Sequence, residues 1–266
     1  MNLIAALINL IGVSLAYLLK ALTFSGMLSA FLIGYIIYYF LGFGGWILLL
    51  LFFVTSFVLG KIASFYSPYK VDFIQQKGSR RDWAQVMANG LLASFCALLY
   101  GLGEGKFALV LFGCSIAAAT SDTWASEAGL LSNKKPISIK TLKPIEPGMS
   151  GGLTSLGTLA ALIGSLVIAL FWYANFAYFT DFNDLYFAFV IAFSGFVSSF
   201  VDSYLGATIQ GHYHDRKNNK ITEKEIIDNE RLELCSGIRW VDNDIVNFIS
   251  NVVSLLIGSI LSLIVM

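Results

Sequence analysis

Long apolar runs constrain the fold of this chain more than any other feature. Hydrophobic residues make up 57% of its 266 residues, charged residues make up only 13%, and the mean hydropathy is +0.74. A soluble domain of this size carries far more charge. A helix that crosses the hydrocarbon core of a bilayer needs about 20 mostly apolar residues. The sequence therefore predicts that a bilayer surrounds most of the chain.

Counting apolar runs on this basis predicts an all-α polytopic membrane protein with about eight transmembrane helices. We expect residues 1–266 to form a single integral membrane domain. The fifth of the runs is short for a span. In chain order, the predicted spans are Leu3–Leu19, Ser25–Phe40, Gly44–Leu59, Ala84–Tyr100, Phe107–Ala119, Leu153–Tyr173, Leu185–Leu205 and Ile245–Met266.

The positive charges predict an orientation in the membrane. With eight crossings, all of the 17 Lys and Arg residues except Lys106 fall on one face. Positively charged loops stay in the cytoplasm, so this pattern predicts a multi-pass protein of the cell membrane with both termini outside. The cytoplasmic face would carry three long loops, residues 60–83, 120–152 and 206–244. A net charge of zero argues against nucleic acid as a partner.

The cytoplasmic loop 206–244 contains a charged stretch, residues 220–233. Two interpretations stay open: a short amphipathic helix that lies on the membrane, or a solvated linker. His212, His214 and Cys235 are too sparse to predict a zinc site.

A short pattern recurs at a constant offset of 131 residues. It suggests a parallel four-plus-four repeat of helices. Chance is an equal alternative, because leucine and small residues are common in membrane helices. The pairs are Leu22 and Leu153, Thr23 and Thr154, Gly26 and Gly157, Leu28 and Leu159, and Ala30 and Ala161.

Charged groups at the edge of a membrane helix are costly unless something binds or pairs with them. In KGSRRDWAQVMANG at 77–90, three cations precede a helix, which favours phosphate binding; anchoring to lipid headgroups is the alternative. In ATSDTWASEAG at 119–129, Asp122 and Glu127 are hard oxygen ligands of the kind that suits magnesium. A helix cap is the alternative for Asp122.

Two further clusters complete the set. KPIEPGMSGGLTSLG at 143–157 combines glycines with hydroxyl side chains, so its backbone amides can approach a ligand closely; an ordinary turn before a helix is the alternative. VDSYLGATIQ at 201–210 places Asp202 inside an apolar run, and RWVDNDIVN at 239–247 begins the last one. Together the clusters resemble the equipment of phosphoryl or nucleotidyl transfer at a membrane interface.

In this combination and order, the motifs resemble a family of integral membrane proteins that includes transmembrane protein 19 and the plant and cyanobacterial phytyl-phosphate kinase. The resemblance covers nearly the whole chain, from LTFSG at 22–26 to GIRWVDNDIVN at 237–247. It implies a prenyl monophosphate kinase, which transfers a phosphate from a nucleoside triphosphate, CTP in the plant case, to form the prenyl diphosphate at the cytoplasmic face. The implied partners are a lipid phosphate, the nucleotide and membrane lipids.

The resemblance also implies roles for individual residues. Asp122, Glu127 and Asp202 would be catalytic and would bind Mg²⁺, while Asn89, Asp244 and Asn247 would orient these ligands. The residues implied in phosphate and nucleotide binding are Lys77, Arg80, Arg81, Gly148, Ser150, Gly151, Gly152 and Thr154. Two other functions stay open: a CTP-dependent cytidylyltransferase that makes a CDP-lipid, and a transporter of a phosphorylated lipid or a small anion.

Overall fold

The structure is a computed structural model that describes residues 3–69, 73–76, 78, 80–177 and 182–265. It is mostly helical, as the sequence predicts. The helices are α1 (Leu3–Leu18), α2 (Phe24–Tyr66), α3 (Trp83–Leu99), a π-helical turn (Tyr100–Glu104), α4 (Gly105–Gly129), α5 (Ser155–Phe176), α6 (Phe182–Thr208) and α7 (Asn243–Ser262).

Two of the long helical stretches fold back on themselves. Gly42, inside α2, has a φ of 64°, and a Cβ on Gly45 would lie only 3.2 Å from Ile37. A straight helix would separate residues eight apart by about 12 Å, so the two halves of α2 run antiparallel. Gly103 and Gly105, with φ of 107° and 54°, make a similar break between α3 and α4.

These breaks explain why counting long apolar helices in the structure gives fewer than the eight spans predicted from the sequence. Among the described residues, five helical stretches are long and apolar enough to cross a membrane, and α1 is shorter. The breaks at Gly42 and between α3 and α4 divide two of these stretches, at the places where the sequence separates its predicted spans. The eight-span topology itself stays a prediction, which the labelling experiment below tests.

Helix α4 lies at the centre of the bundle, and small residues let its neighbours approach closely. A Cβ added to Gly195 of α6 would lie 2.6 Å from the Cβ of Ala117, and one on Gly157 of α5 would lie 2.6 Å from the carbonyl oxygen of Ala125. Gly258 of α7 lies equally close to Cys114. Close backbone approach of this kind favours association of helices inside a membrane.

Polar links between helices reinforce this packing. The indole of Trp172 on α5 donates to the carbonyl of Leu109 at 2.8 Å, and the hydroxyl of Ser121 on α4 donates to the carbonyl of Ala161 at 2.9 Å. Because hydrocarbon offers no partner to a polar group, such links hold helices in one relative position.

The connecting segments gather at two ends of the bundle. At one end, Ser67 donates to the carbonyl of Leu130, and Thr222 donates to that of Phe73. At the other end, Lys106 pairs with the buried carboxylate of Asp184. The basic residue that the sequence places apart from all the others therefore has an acidic partner there.

The structure corrects two predictions about the connecting segments. Helix α4 continues to Gly129, ten residues beyond the predicted end at Ala119, so residues 120–129 are helix and not loop. Polar residues end the apolar run there, but they do not end the helix, because their side chains face a cavity between helices. Likewise α2 extends to Tyr66, into the predicted loop 60–83.

The loop 206–244 contains a small β-structure and not the amphipathic helix, one of the two interpretations left open for residues 220–233. Strands β3 (His212–Asp215), β4 (Lys220–Thr222) and β7 (Glu233–Ser236) form an antiparallel sheet in the order β4-β3-β7. Strands β5 (Ile226–Ile227) and β6 (Glu230–Arg231) form a hairpin. Strand β3 pairs with β7 across about 20 residues of sequence, a contact that the pattern of residues 220–233 alone does not reveal. Elsewhere, β1 (Ile137–Ser138) pairs with β2 (Gly152–Leu153).

The two copies of the recurring pattern share a local structure. Thr23 caps α2 by accepting a hydrogen bond from the amide of Gly26, and Thr154 caps α5 by accepting one from the amide of Gly157. A repeat of whole four-helix halves stays a prediction.

Labelling of a native thiol tests the predicted topology. Cys96 and Cys114 are buried, whereas Cys235 in β7 is exposed. We expect a membrane-impermeant maleimide to label Cys235 in inside-out vesicles and not in intact cells. The Cys235→Ser variant is the control for specificity.

A second probe checks the opposite face. Leu102, in the π-helical turn, is 73% exposed, and Leu102→Cys in the Cys235→Ser background should be labelled in intact cells only. Labelling of both thiols from the same side would contradict the eight-span topology.

Candidate functional site

A polar cavity of about 700 Å³ lies at the end of the bundle where the long loops meet. Helices α2 to α7 all contribute to its walls, together with the glycine-rich segment and Glu223, which follows β4. Of the residues that the sequence singled out, the following line it: Arg81, Asn89, Asp122, Glu127, Gly148, Ser150, Gly151, Gly152, Thr154, Asp202, Asp244 and Asn247.

Two aspartates from different helices meet inside this cavity. The carboxyl groups of Asp122 on α4 and Asp202 on α6 lie close enough to interact directly with each other. Asp202 also accepts a hydrogen bond from the hydroxyl of Ser250 at 3.1 Å. In the amide orientation that satisfies its neighbours, Asn247 donates to the same Asp202 oxygen at 2.9 Å. Two carboxylates in contact repel each other unless a proton or a cation lies between them.

Glu127 lies farther round α4 and has a different partner. Residues five apart on a helix are about 140° apart around its axis, and Glu127 is attracted electrostatically to Arg81. A Cβ at Gly60 would lie 3.3 Å from the Glu127 carboxylate, so the missing side chain makes room for it. The guanidinium of Arg81 lies over the rings of Phe52 and Phe53, at 5.1 and 5.7 Å.

The glycine-rich segment packs tightly against α6. Gly151 has a φ of +83°, and a Cβ there would lie 2.4 Å from that of Ala207. Gly148 also has a positive φ, of 90°. Only glycine adopts this backbone readily, so Gly151 allows the segment to follow α6 along the cavity wall. The segment ends at Thr154, whose hydroxyl caps α5.

Glu223 is a site residue that the sequence analysis missed. It follows β4 and is buried, and its carboxylate accepts a hydrogen bond from the backbone amide of Ser150 at 2.8 Å. Burial raises the pKa of Glu223 above its usual range. Its own amide donates to the carbonyl of Ile74. Glu223 therefore connects the loop 206–244 to the glycine-rich segment, a long-range contact for which the charged stretch gives no local signal.

Comparison with known proteins places this chain in a family. The family described as integral membrane protein DUF92 matches residues 7–255. The chain belongs to this family.

Three relatives of the DUF92 chain illustrate the range of the family. Protein PGR of Arabidopsis thaliana is 32% identical over 93% of this chain and 91% of its own length. An uncharacterized membrane protein of Methanocaldococcus jannaschii is 34% identical over 82% of both chains. "Protein VTE6, chloroplastic", also of Arabidopsis thaliana, is 26% identical over 92% of this chain and 66% of its own length. No solved structure matches. The family resemblance predicted from the motifs is confirmed.

The cations of the first motif do not all face the cavity. Arg80 is exposed, donates to the carbonyl of Leu22 at 3.1 Å and lies over the ring of Tyr17. It does not line the cavity, whereas its neighbour Arg81 does. Adjacent residues ahead of a helix point in different directions, and the sequence alone does not say which one points inward. Lys77 lies outside the described residues.

The three predicted metal ligands do not form one cluster. Within the described part of the chain, no three His, Cys, Asp or Glu side chains are grouped closely enough to hold a metal ion. Asp122 and Asp202 come together, whereas Glu127 interacts electrostatically with Arg81. His212, His214 and Cys235 likewise form no such group; His212 bonds to Ser236, and His214 bonds to Asn219.

Replacing Glu223 tests the connection between the two loops. Glu223→Ala leaves the partly buried amide of Ser150 without its acceptor, which costs about 1 kcal/mol. We expect a lower apparent Tm for the detergent-purified protein. Glu223→Gln retains an acceptor oxygen and should unfold near the wild type in acidic buffer.

The difference in stability between the wild type and Glu223→Gln should depend on pH. Because the pKa of Glu223 is raised in the folded state, the wild type loses stability as the pH rises through that value, and Glu223→Gln does not. Asp202 lies near Glu223, so Glu223→Gln must be compared with the wild type at each pH. A constant difference in apparent Tm from acidic to mildly alkaline buffer would contradict this assignment.

Proposed function

We propose that this protein is a membrane phosphotransferase that moves a phosphate from a nucleoside triphosphate, CTP in the first instance, to a prenyl monophosphate. The observation that carries the proposal is the contact between Asp122 and Asp202, in a cavity that Arg81 and the glycine-rich segment also line. Carboxylates, a cation and a glycine-rich backbone around one space are the parts that phosphoryl transfer uses to position its charged groups.

The charge of the cavity supports a role for magnesium. The described residues that line it include Asp122, Glu127, Asp202, Glu223 and Asp244, but only one basic residue, Arg81. An anionic triphosphate would be repelled there unless a cation accompanied it. Mg²⁺ typically takes one or two carboxylates and completes its shell with water and phosphate oxygens, so Asp122 and Asp202 fit as its protein ligands. When bound, it would neutralise charge on the transferred phosphoryl group.

The chain's own residues would position the reactants. An oxygen of the lipid phosphate attacks the terminal phosphorus of the nucleotide, forming a new P–O bond as the bond to the nucleoside diphosphate breaks. The lipid phosphate is already largely dianionic at neutral pH, so the reaction needs no general base. Arg81 would bind phosphate oxygens through its guanidinium. Asn247 and Ser250 would hold Asp202 in the orientation observed here.

Product analysis tests the reaction. The purified protein is incubated with Mg²⁺, geranylgeranyl monophosphate and each of CTP, ATP, GTP and UTP, and the products are identified by mass spectrometry. We expect a prenyl diphosphate together with the matching nucleoside diphosphate. We expect Asp202→Asn to abolish turnover, because it removes one of the paired carboxylates. Glu230→Gln, which changes a surface partner of Lys217, is the control and should be fully active.

Other products would contradict the proposal. A CDP-lipid with pyrophosphate would identify a cytidylyltransferase. Absence of turnover, together with protein-dependent uptake of a phosphorylated lipid into vesicles, would identify a transporter.

The adjacent arginines provide a matched pair of variants. Arg81→Gln removes the guanidinium that lines the cavity, and we expect kcat/KM to fall by roughly a hundredfold. Arg80→Gln removes a guanidinium that lies outside the cavity and should leave kcat/KM within about twofold, since exposed charges contribute little. Equal losses in the two variants would mean that Arg81 has no special role in phosphate binding.

A further inference from the structure

The glycine-rich segment brings the backbone of Ser150 close to the carboxylates of the polar cavity. Ser150 lines this cavity and lies between Gly148 and Gly151, which both have a positive φ. A Cβ added to Gly206 of α6 would lie 2.8 Å from the Cβ of Ser150. Because Gly206 is four residues beyond Asp202, or about 6 Å along the helix, the segment crosses α6 about one turn from the aspartate pair.

A carboxylate of the protein itself occupies the amide of Ser150. Glu223 is only 6% exposed and lines the polar cavity, and its carboxylate accepts the hydrogen bond from this amide at 2.8 Å. A backbone N–H group is a single donor. A carboxylate oxygen and a phosphate oxygen are both anionic acceptors for such a donor. A phosphate that enters this part of the cavity therefore competes with Glu223 for the same hydrogen.

Attachment of the loop 206–244 does not by itself explain why residue 223 is a glutamate. The backbone amide of Glu223 already donates to the carbonyl of Ile74, and the hydroxyl of Thr222 donates to that of Phe73. Burial of a carboxylate costs free energy, and Asp202 lies near enough to add electrostatic repulsion. A neutral acceptor would hold the glycine-rich segment at a lower cost, so the carboxylate indicates a role beyond attachment.

We propose that Glu223 is a placeholder for a substrate phosphate. Its carboxylate occupies the amide of Ser150 before substrate binds, and a phosphate oxygen of the substrate then replaces it. The proposal rests on the function proposed above, and adds to it one phosphate-binding group and the residue that competes for it. The side chain of Gln210 lies close enough to interact with the Glu223 carboxylate, and gives it a second partner when the amide is released. The phosphate belongs either to the nucleotide or to the lipid.

A placeholder has opposite effects on stability and on affinity, and this distinguishes it from a structural residue. Glu223→Ala removes a hydrogen bond of the unliganded protein, so its apparent Tm falls, as expected above. The same change releases the amide of Ser150 and removes a negative charge from the cavity, so an anionic substrate should bind more tightly. A residue that only held the loop, or that bound Mg²⁺, would weaken binding when it was replaced.

The experiment measures two ligands on the purified full-length protein by native mass spectrometry. One is Mg²⁺ with a CTP analogue whose β,γ-bridging oxygen is replaced by methylene, so that no phosphate is transferred. The other is geranylgeranyl monophosphate. We expect Glu223→Ala to tighten binding of one of them at least about fivefold, and Glu223→Gln to tighten it about twofold because it keeps a neutral acceptor. The ligand that responds identifies the source of the phosphate.

A matched control removes a negative charge elsewhere in the same loop. Glu230 pairs with Lys217, and both side chains are exposed. Glu230→Gln therefore changes the net charge as Glu223→Gln does, without altering the cavity. Both ligands should bind it as they bind the wild type. Equal tightening in Glu223→Gln and Glu223→Ala would show that only the charge matters, and would overturn competition for the amide.

The outcomes separate this inference from the proposed function. Unchanged or weaker binding of both ligands in Glu223→Gln would overturn the placeholder, even if Glu223→Ala does not fold. If that result accompanied formation of a prenyl diphosphate by the wild type, the kinase proposal would stand without the placeholder. Tighter binding in the variants, without any transfer of phosphate by the wild type, would support the placeholder and overturn the kinase proposal.

Discussion

Gly195 and Ala117 lie so close together that no larger residue fits at Gly195, and this contact between α6 and α4 determines much of the structure. It brings the ends of the two helices together at the level of Asp122 and Asp202. Lipid contributes no hydrophobic force between helices, so their association depends on close packing and on polar links. The aspartate pair would not form if a bulky side chain separated α4 from α6.

The carboxyl pair in turn constrains α7. Asn247 and Ser250 lie one turn apart on that helix, and both donate to Asp202. Ser198 of α6 donates to the carbonyl of Ser250 at 2.8 Å, which is a second hydrogen bond between α6 and α7. A buried carboxylate is costly unless its oxygens are satisfied. The three helices therefore share one polar network, and a movement of any of them would disturb the site.

Much of this arrangement follows from local sequence. Apolar runs locate the helical segments, and the glycines at the breaks in α2 and between α3 and α4 separate adjacent ones. Motifs rich in carboxylates and glycine identify most residues of the polar cavity, because a membrane-embedded chain rarely keeps charges without a use for them. The features that the sequence did not reveal have a common origin. Glu223, the different directions of Arg80 and Arg81, and the pairing of β3 with β7 all depend on contacts between distant parts of the chain.

The sequence by itself determined that this is a helical membrane protein of the DUF92 family, with its polar motifs at the ends of helices, because hydropathy and motif order are properties of the chain alone. Only the tertiary structure decided which carboxylates meet, that Arg81 and not Arg80 borders the cavity, and that Glu223 contacts the glycine-rich segment. These features depend on helix rotation and on close approach at glycines, and both are set by packing between segments that lie far apart in the chain.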